Sequence, residues 1–410
     1  MLTLDQVQTV ALAGLVLFLG YGIRRRVPPL ARYNIPAPVV GGLLVAGIVT
    51  AFHARGLTLV AFDTSLQAPL MIAFFTSIGF GASVSLLRVG GPAVAFFFAL
   101  ATGFAVVQNV LGAAAAWMLG QHPLMGVLAG SVTLTGGPAT GLAFAPLFEA
   151  AGVPGAATLA VAAAMVGIVG GGLIGGPIGT RLITRLGPRP PRGVAVSADP
   201  TVAAHVVEDR LPEPQAAAPS GEDIESYVLL KALVLILAAM WAGSWLTNGF
   251  AAMGITLPAY IGAMLVAAAV RNLDDVTHLV GISQRTVDDL GTSALALFLV
   301  MALMTLALWE IVGLAVPLAV MLLLQVALIA VVSGTVVFWW MGRDYEAAVM
   351  SGGFCGFMLG TTANAMANMT ALVERYGPAP KAFLVVPMVG AFFIDFTNAI
   401  LITICLNIWG

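Results

Sequence analysis

Charge is what this sequence lacks most. Asp, Glu, Lys and Arg together make up 9% of its 410 residues, against about 25% in water-soluble domains. A soluble protein of this length could not cover its surface with so few charges, which excludes a soluble globular enzyme. A basic excess is also missing. The formal net charge is −2, so nucleic acid is not an expected partner. Cysteine occurs twice, as Cys355 and Cys405 in apolar stretches, which argues against a disulfide framework or a cysteine metal cluster. Apolar residues fill the space these absences leave, at 60% of the chain with a mean hydropathy of +1.01. Disordered chains have the opposite composition. The class is an all-α polytopic membrane protein.

Catalytic motifs are missing as well. There is no HExxH pair and no P-loop, so the chain does not itself harness ATP. Asp274-Asp275 runs into Val276-Thr277-His278 without the further aspartate of a diphosphate–metal motif. His53, His122, His205 and His278 are scattered over loops and span ends. A non-enzyme is expected. A cleavable signal would need positive residues ahead of its apolar core. Here Asp5 precedes the first apolar run and Arg24, Arg25 and Arg26 follow it, so none is expected.

A charge at the bilayer centre costs roughly 2.5–3.5 kcal/mol on insertion scales, so charge-free stretches mark the spans. Ten spans are predicted: 5–22, 35–53, 66–87, 92–118 and 155–182 in a first half, and 227–249, 257–271, 288–309, 312–341 and 380–408 in a second. Two further apolar stretches, 122–150 and 346–372, are broken in their interiors by Gly136-Gly137-Pro138 and by Gly360-Thr361-Thr362-Ala363-Asn364. About a dozen residues lie on each side of the first break, enough at 1.5 Å per residue for half of the hydrocarbon core. A kinked full span is the plain alternative. The sharper reading is a re-entrant hairpin between the fourth and fifth spans of each half. Its tip must be buried in protein or line a cavity, because lipid cannot satisfy freed backbone groups.

Seven prolines and most of the local charge fall in 186–226, which reads as a polar linker between membrane repeats 1–185 and 227–410. The halves match in order: Ile35-Pro36-Ala37 with Leu257-Pro258-Ala259, the segment from Glu149 with that from Glu374, and Ala164-Met165-Val166-Gly167 with Pro387-Met388-Val389-Gly390. The offsets stay within about 222–225 residues, as duplication would leave them. Five spans per half is an odd number, so the repeats must be inverted. With the N-terminus outside, sixteen of the 17 Lys and Arg fall on the inner face, and Arg55 alone falls outside. That places both termini outside and the linker in the cytoplasm.

Inverted repeats with a broken element in each half point to a secondary transporter. Half-helix N-termini would face an anionic substrate, and unwound carbonyls would suit a sodium ion. Substrate candidates are Ser131, Thr133, Thr135, Gly136, Gly137 and Thr140 in the first hairpin, and Thr361, Thr362, Asn364 and Asn368 in the second. Each hydroxyl could instead bond back to its own helix. Asp395, deep in the last apolar stretch, is the leading candidate for a cation ligand, ammonium partner or proton carrier, with a structural carboxylate bonded to hairpin hydroxyls as its plain role. Asn398 lies three residues on, on the same face. Gln108 and Asn109 are further ion candidates, with interhelical hydrogen bonding as their plain role. A gated channel is the rival from another class; it would not need duplicated hairpins rich in hydroxyls and amides.

Three ordered runs carry a resemblance: Tyr33-Asn34-Ile35-Pro36-Ala37-Pro38 and onward to Val45, Leu124 to Gly137, and Ala382 to Asp395. By these the chain resembles the bacterial glutamate:sodium symporter family along nearly its full length. The resemblance implies sodium-driven uptake of L-glutamate across the bacterial inner membrane, with sodium co-transported and no organic cofactor. It also implies a homodimer with a central scaffold, and a mobile domain that carries both hairpins in an elevator-like motion. Two motifs depart from the family. Gly136-Gly137-Pro138-Ala139-Thr140-Gly141 stands where Gly-Gly-x-Gly-Thr-Gly is usual, and Asn364 stands where a small hydroxyl is usual. Both fall at the expected site, which keeps a sodium- or proton-coupled carrier of another carboxylate open as the alternative.

Overall fold

The computed structural model describes residues 2–57, 60–85, 91–187, 224–252, 258–311 and 313–410. The expected linker lies outside the described residues over 188–223, as do Arg88, Arg189, Arg192 and Arg210 of the orientation argument. In chain order the helices are α1 (Gln6–Arg26), α2 (Pro28–Arg32), α3 (Ala37–His53), α4 (Gln67–Gly81), α5 (Gly91–Met118), α6 (Pro123–Val132), α7 (Gly137–Ala150) and α8 (Ala156–Leu186). They continue with α9 (Ile224–Ala252), α10 (Ala259–Thr277), α11 (Gln284–Met304), α12 (Ala315–Trp340), α13 (Tyr345–Leu359), α14 (Thr362–Tyr376), α15 (Pro380–Met388) and α16 (Ile394–Trp409). Six of these are long and apolar enough to cross a membrane. A helix stands at each of the ten predicted spans.

Several boundaries differ from the sequence expectation, each for a local reason. The third span was predicted to reach 87, but α4 stops at Gly81. There the Val84 N–H donates to Asn272 Oδ1 at 2.8 Å, and the Ser85 hydroxyl donates to Asp275 Oδ2 at 2.9 Å. The span predicted to end at 271 continues to Thr277 because Arg271 is neutralised in place. Its Nε pairs with Asp275 Oδ1 at 2.9 Å, and its Nη1 donates to Gln284 Oε1 at 3.0 Å. The last span is two helical pieces, α15 and α16, joined by a wider five-residue π turn over Val389–Phe393.

The chain forms two compact units. The first comprises residues 1–28, 36–86 and 212–309. Asp5 and Gln8 cap α1 reciprocally, the Gln8 N–H donating to Asp5 Oδ1 at 2.8 Å. Arg24, Arg25 and Arg26 close the same helix where positive charge suits its dipole. Ala13, Val16, Val300, Met301 and Met304 make one apolar cluster; Phe80, Ile236, Ala267, Ile282 and Val287 belong to a second. At the end of α10, Asp274 Oδ1 accepts from the Val280 and Gly281 N–H groups at 2.7 and 3.0 Å, and Oδ2 accepts from Ile282 at 3.0 Å.

The second unit comprises residues 29–35, 87–211 and 310–410. Every candidate site residue named from the sequence lies in it. Glycines set its close packing. α5 and α6 cross backbone to backbone at Gly112 and Gly126. On α8, Gly167, Gly171, Gly175 and Gly179 recur every four residues and form one stripe. That stripe meets Leu359, Gly356, Gly352 and Ala348 of α13, in descending order, so the two helices run antiparallel.

Candidate functional site

Two interrupted helix pairs shape the site. In the first, α6 leaves helical geometry at Gly130 (φ −103°, ψ −128°), and α7 starts at Gly137 with φ +70°. Gly137 thus occupies a left-handed conformation that a side chain would strain. Pro138 follows in the first turn, where no N–H is needed. In the second pair, α13 ends at Gly360 and α14 begins after Thr361, whose hydroxyl accepts from the Asn364 N–H at 3.3 Å. Gly352 packs on Leu372, Gly353 on Met369 and Gly356 on Ala365, so α13 and α14 run antiparallel. α13 and α14 have 15 residues each and α7 has 14. At 1.5 Å per residue these are about 21–23 Å long, short of a hydrocarbon core of about 30 Å.

The two breaks meet. A Cβ built on Gly137 would lie 3.7 Å from the Gly360 carbonyl oxygen. Two helix N-termini, those of α7 and α14, therefore open close together, with the wider turn of the last span against one of them. A Cβ on Gly390 would lie 2.9 Å from the Thr362 hydroxyl. Helix N-termini carry partial positive charge and unpaired N–H groups, which together favour an anion.

The sequence-named side chains fall into distinct roles around this junction. Gln108 is fully buried and ties the pairs together. Its Oε1 accepts from the Thr135 hydroxyl at 2.8 Å, and its Nε2 donates to the Met358 carbonyl at 3.2 Å. The Asn109 Oδ1 accepts from the Ser131 N–H at 3.1 Å, and the Asn398 Nδ2 donates to the Ser131 carbonyl at 2.9 Å. Thr133 bonds back to the Leu128 carbonyl at 2.7 Å, the plain role for a membrane threonine. Thr140 packs over Gly136 at the break. Thr361 and Thr362 are half-buried at the head of α14. Asn364 Nδ2 donates to the Ile168 carbonyl at 2.7 Å, and Asn368 Nδ2 donates to the Gly171 carbonyl at 2.9 Å. These two amides fasten α14 to α8. Asp395 is half-buried one turn before Asn398, and no described residue forms a hydrogen bond or ion pair with it.

Two residues at this site were not singled out from the sequence. Asn34, in a left-handed turn (φ 54°), donates its Nδ2 to Asn364 Oδ1 at 2.9 Å across 330 residues of chain. Nothing local to Asn34 foretells that. Gln325 donates its Nε2 to the Gln108 carbonyl at 2.7 Å. It did carry a signal, as the only amide in the charge-free stretch 311–342. Among the described residues, no group of three His, Cys, Asp or Glu is placed to hold a metal. Hard oxygens from hydroxyls, amides and Asp395 are the donors on offer.

The comparisons with known proteins agree with one another. A family model described as sodium/glutamate symporter matches residues 2–378. The sodium/glutamate symporter of Escherichia coli (strain K12) is 40% identical over 407 residues, covering 99% of this chain and 98% of that protein. The protein of the same name from Haemophilus influenzae is 39% identical over 403 residues, covering 98% of this chain and 97% of that protein.

Proposed function

The chain belongs to the sodium/glutamate symporter family, and from that premise we propose that it moves L-glutamate into the cell together with sodium. One observation carries the reading beyond the family name: two short helix pairs bring their breaks, and two helix N-termini, to a single junction at Gly137 and Gly360. L-Glutamate offers two carboxylates, and helix N-termini favour such groups. Thr135, Thr140, Thr361 and Thr362 supply hydroxyls there, and Gly136 and Gly137 allow close approach of backbone to substrate.

The wider plan belongs to the same proposal. The pairs are re-entrant hairpins within two inverted five-span repeats, 1–185 and 227–410, joined by a cytoplasmic linker at 186–226. Both termini lie outside the inner membrane. The second compact unit holds every candidate residue, which supports its being the body that carries substrate in an elevator-like motion. The first unit is then the scaffold, and a homodimer forms around it. Sodium entering down its gradient drives uptake, and each net positive charge moved inward adds about 2.3 kcal/mol per 100 mV of membrane potential.

Uptake of labelled L-glutamate into proteoliposomes is the test, with an inward sodium gradient and with potassium in its place. Saturable, concentrative uptake with sodium alone is the expected result. Absence of uptake by folded protein in both conditions would refute glutamate as the substrate. The departures at Pro138 and Asn364 favour one second reading, transport of another carboxylate. Competition with dicarboxylates separates the two.

A further inference from the structure

Ser131 is held from both sides yet leaves its own hydroxyl unused. The backbone at Gly130 turns the Ser131 N–H toward Asn109 Oδ1 (3.1 Å), while Asn398 Nδ2 grips the Ser131 carbonyl (2.9 Å). These two bonds fix both amides. Asn398 must present its nitrogen to a carbonyl, so its Oδ1 faces away; Asn109 must present its oxygen to an N–H, so its nitrogen faces away. The Asn109 nitrogen is buried with no partner among the described residues. The Ser131 Oγ and the Asn398 Oδ1 are fully buried and have no partner among the described residues. Buried oxygens left unpaired are uncommon and costly. One turn before Asn398, Asp395 also has no hydrogen bond or ion pair with a described residue.

Two neutral oxygens and one carboxylate oxygen are hard donors of the kind alkali and alkaline-earth cations take. A single carboxylate offsets a single positive charge, which matters in a low-dielectric interior where an uncompensated ion is expensive. Resting on the sodium-symport reading, we propose that Ser131 Oγ, Asn398 Oδ1 and the Asp395 carboxylate are the ligands of the co-transported sodium ion. Asn109 is a positioning residue that holds Ser131. Gln108, whose amide is spent on Thr135 and Met358, is not a ligand. At the offsets that relate the hairpins (225 residues) and the last spans (223 residues), Ser131, Asn398 and Asp395 correspond to Gly356, Gly175 and Gly172, none of which offers a hard side-chain oxygen.

Ser131→Ala tests this directly, because the two roles for that hydroxyl predict opposite results. As a sodium ligand, its loss raises the sodium concentration for half-maximal glutamate uptake about tenfold. The half-saturating glutamate concentration, measured at saturating sodium, stays within about twofold. Ser131→Thr keeps the hydroxyl and stays near the wild type. As a merely buried hydroxyl, its removal deletes an orphan group and leaves sodium dependence unchanged, which overturns the proposal. Thermal unfolding of the purified protein in sodium or potassium, without glutamate, gives an independent readout. Sodium stabilises the wild type, and Ser131→Ala and Asp395→Asn each need about tenfold more sodium for the same shift. Equal sodium titrations for all three overturn the site. If the wild type shows no sodium-dependent uptake, the symport reading fails and the site with it; a sodium-dependent wild type beside an unchanged Ser131→Ala refutes the site alone.

Discussion

The hydrogen bond between Thr135 and Gln108 joins the first break to α5, and through Met358 to the second helix pair, so cutting it should loosen both. Its partners are 5% and 0% exposed and 2.8 Å apart. Gln108→Leu leaves the Thr135 hydroxyl only the Met358 sulfur, 4.0 Å away, and takes from the Met358 carbonyl its Gln108 donor, in a buried place. Thr135→Val removes only the hydroxyl, at nearly constant shape. Couplings of this kind in membrane proteins average about 0.6 kcal/mol and reach about 1.7. Because both side chains are buried, the expected coupling is about 1 kcal/mol, close to fivefold in an equilibrium constant. The assay is a double-mutant cycle on unfolding free energy in detergent, with glutamate half-saturation measured for the same four proteins. Thr133 serves as the control, since its hydroxyl bonds the Leu128 carbonyl of its own helix. A Gln108→Leu/Thr133→Val cycle should be additive. If the Gln108–Thr135 cycle is also additive within about 0.5 kcal/mol, the tie carries no energy and the reasoning is refuted.

Other outcomes follow from single contacts. Gly126→Ala drives a methyl into the Gly112 backbone and should cost about 1–3 kcal/mol. Gly103→Ala, inside α5, meets nothing within 4 Å and should gain up to about 1 kcal/mol through helix propensity; melting temperatures moving the same way for both would contradict the packing. Asn34→Ala strips Asn364 Oδ1 of its donor. It should weaken glutamate half-saturation about fivefold, the worth of one hydrogen bond, while sodium half-saturation measured in parallel stays put.

What could be read in advance divides along the range of the physics involved. Spans follow from the cost of burying charge, which acts residue by residue, so a helix stands at each of the ten predicted places. The misplaced ends are those where a partner changes that cost. Arg271 would end a span if it stood alone, but Asp275 offsets its charge, Gln284 accepts one of its N–H groups, and the helix runs on to Thr277. The breaks at Gly136-Gly137-Pro138 and Gly360-Thr361 were legible because glycine and a capping hydroxyl act within one turn. That Gly137 lies against Gly360 was not legible, since a contact over more than two hundred residues leaves no local mark.

The same division explains why the polar residues were located but not sorted. Composition marks any amide or hydroxyl in an apolar stretch as costly, and Gln108, Asn109, Asn364, Asn368 and Asn398 were all found on that ground. Whether such a group is spent on the fold or kept for a ligand depends on its partners. Gln108 and Asn368 direct their amides to named protein groups. Asn398 spends its nitrogen on Ser131 and keeps an oxygen. Ser131 and Thr133 lie two residues apart and look alike in sequence. Yet the Thr133 hydroxyl closes on its own helix while the non-helical backbone at Gly130 leaves the Ser131 hydroxyl free. A single backbone break thus separates a hydroxyl spent on the fold from one left without a described partner, and the sodium titration of Ser131→Ala tests whether that second hydroxyl meets an ion.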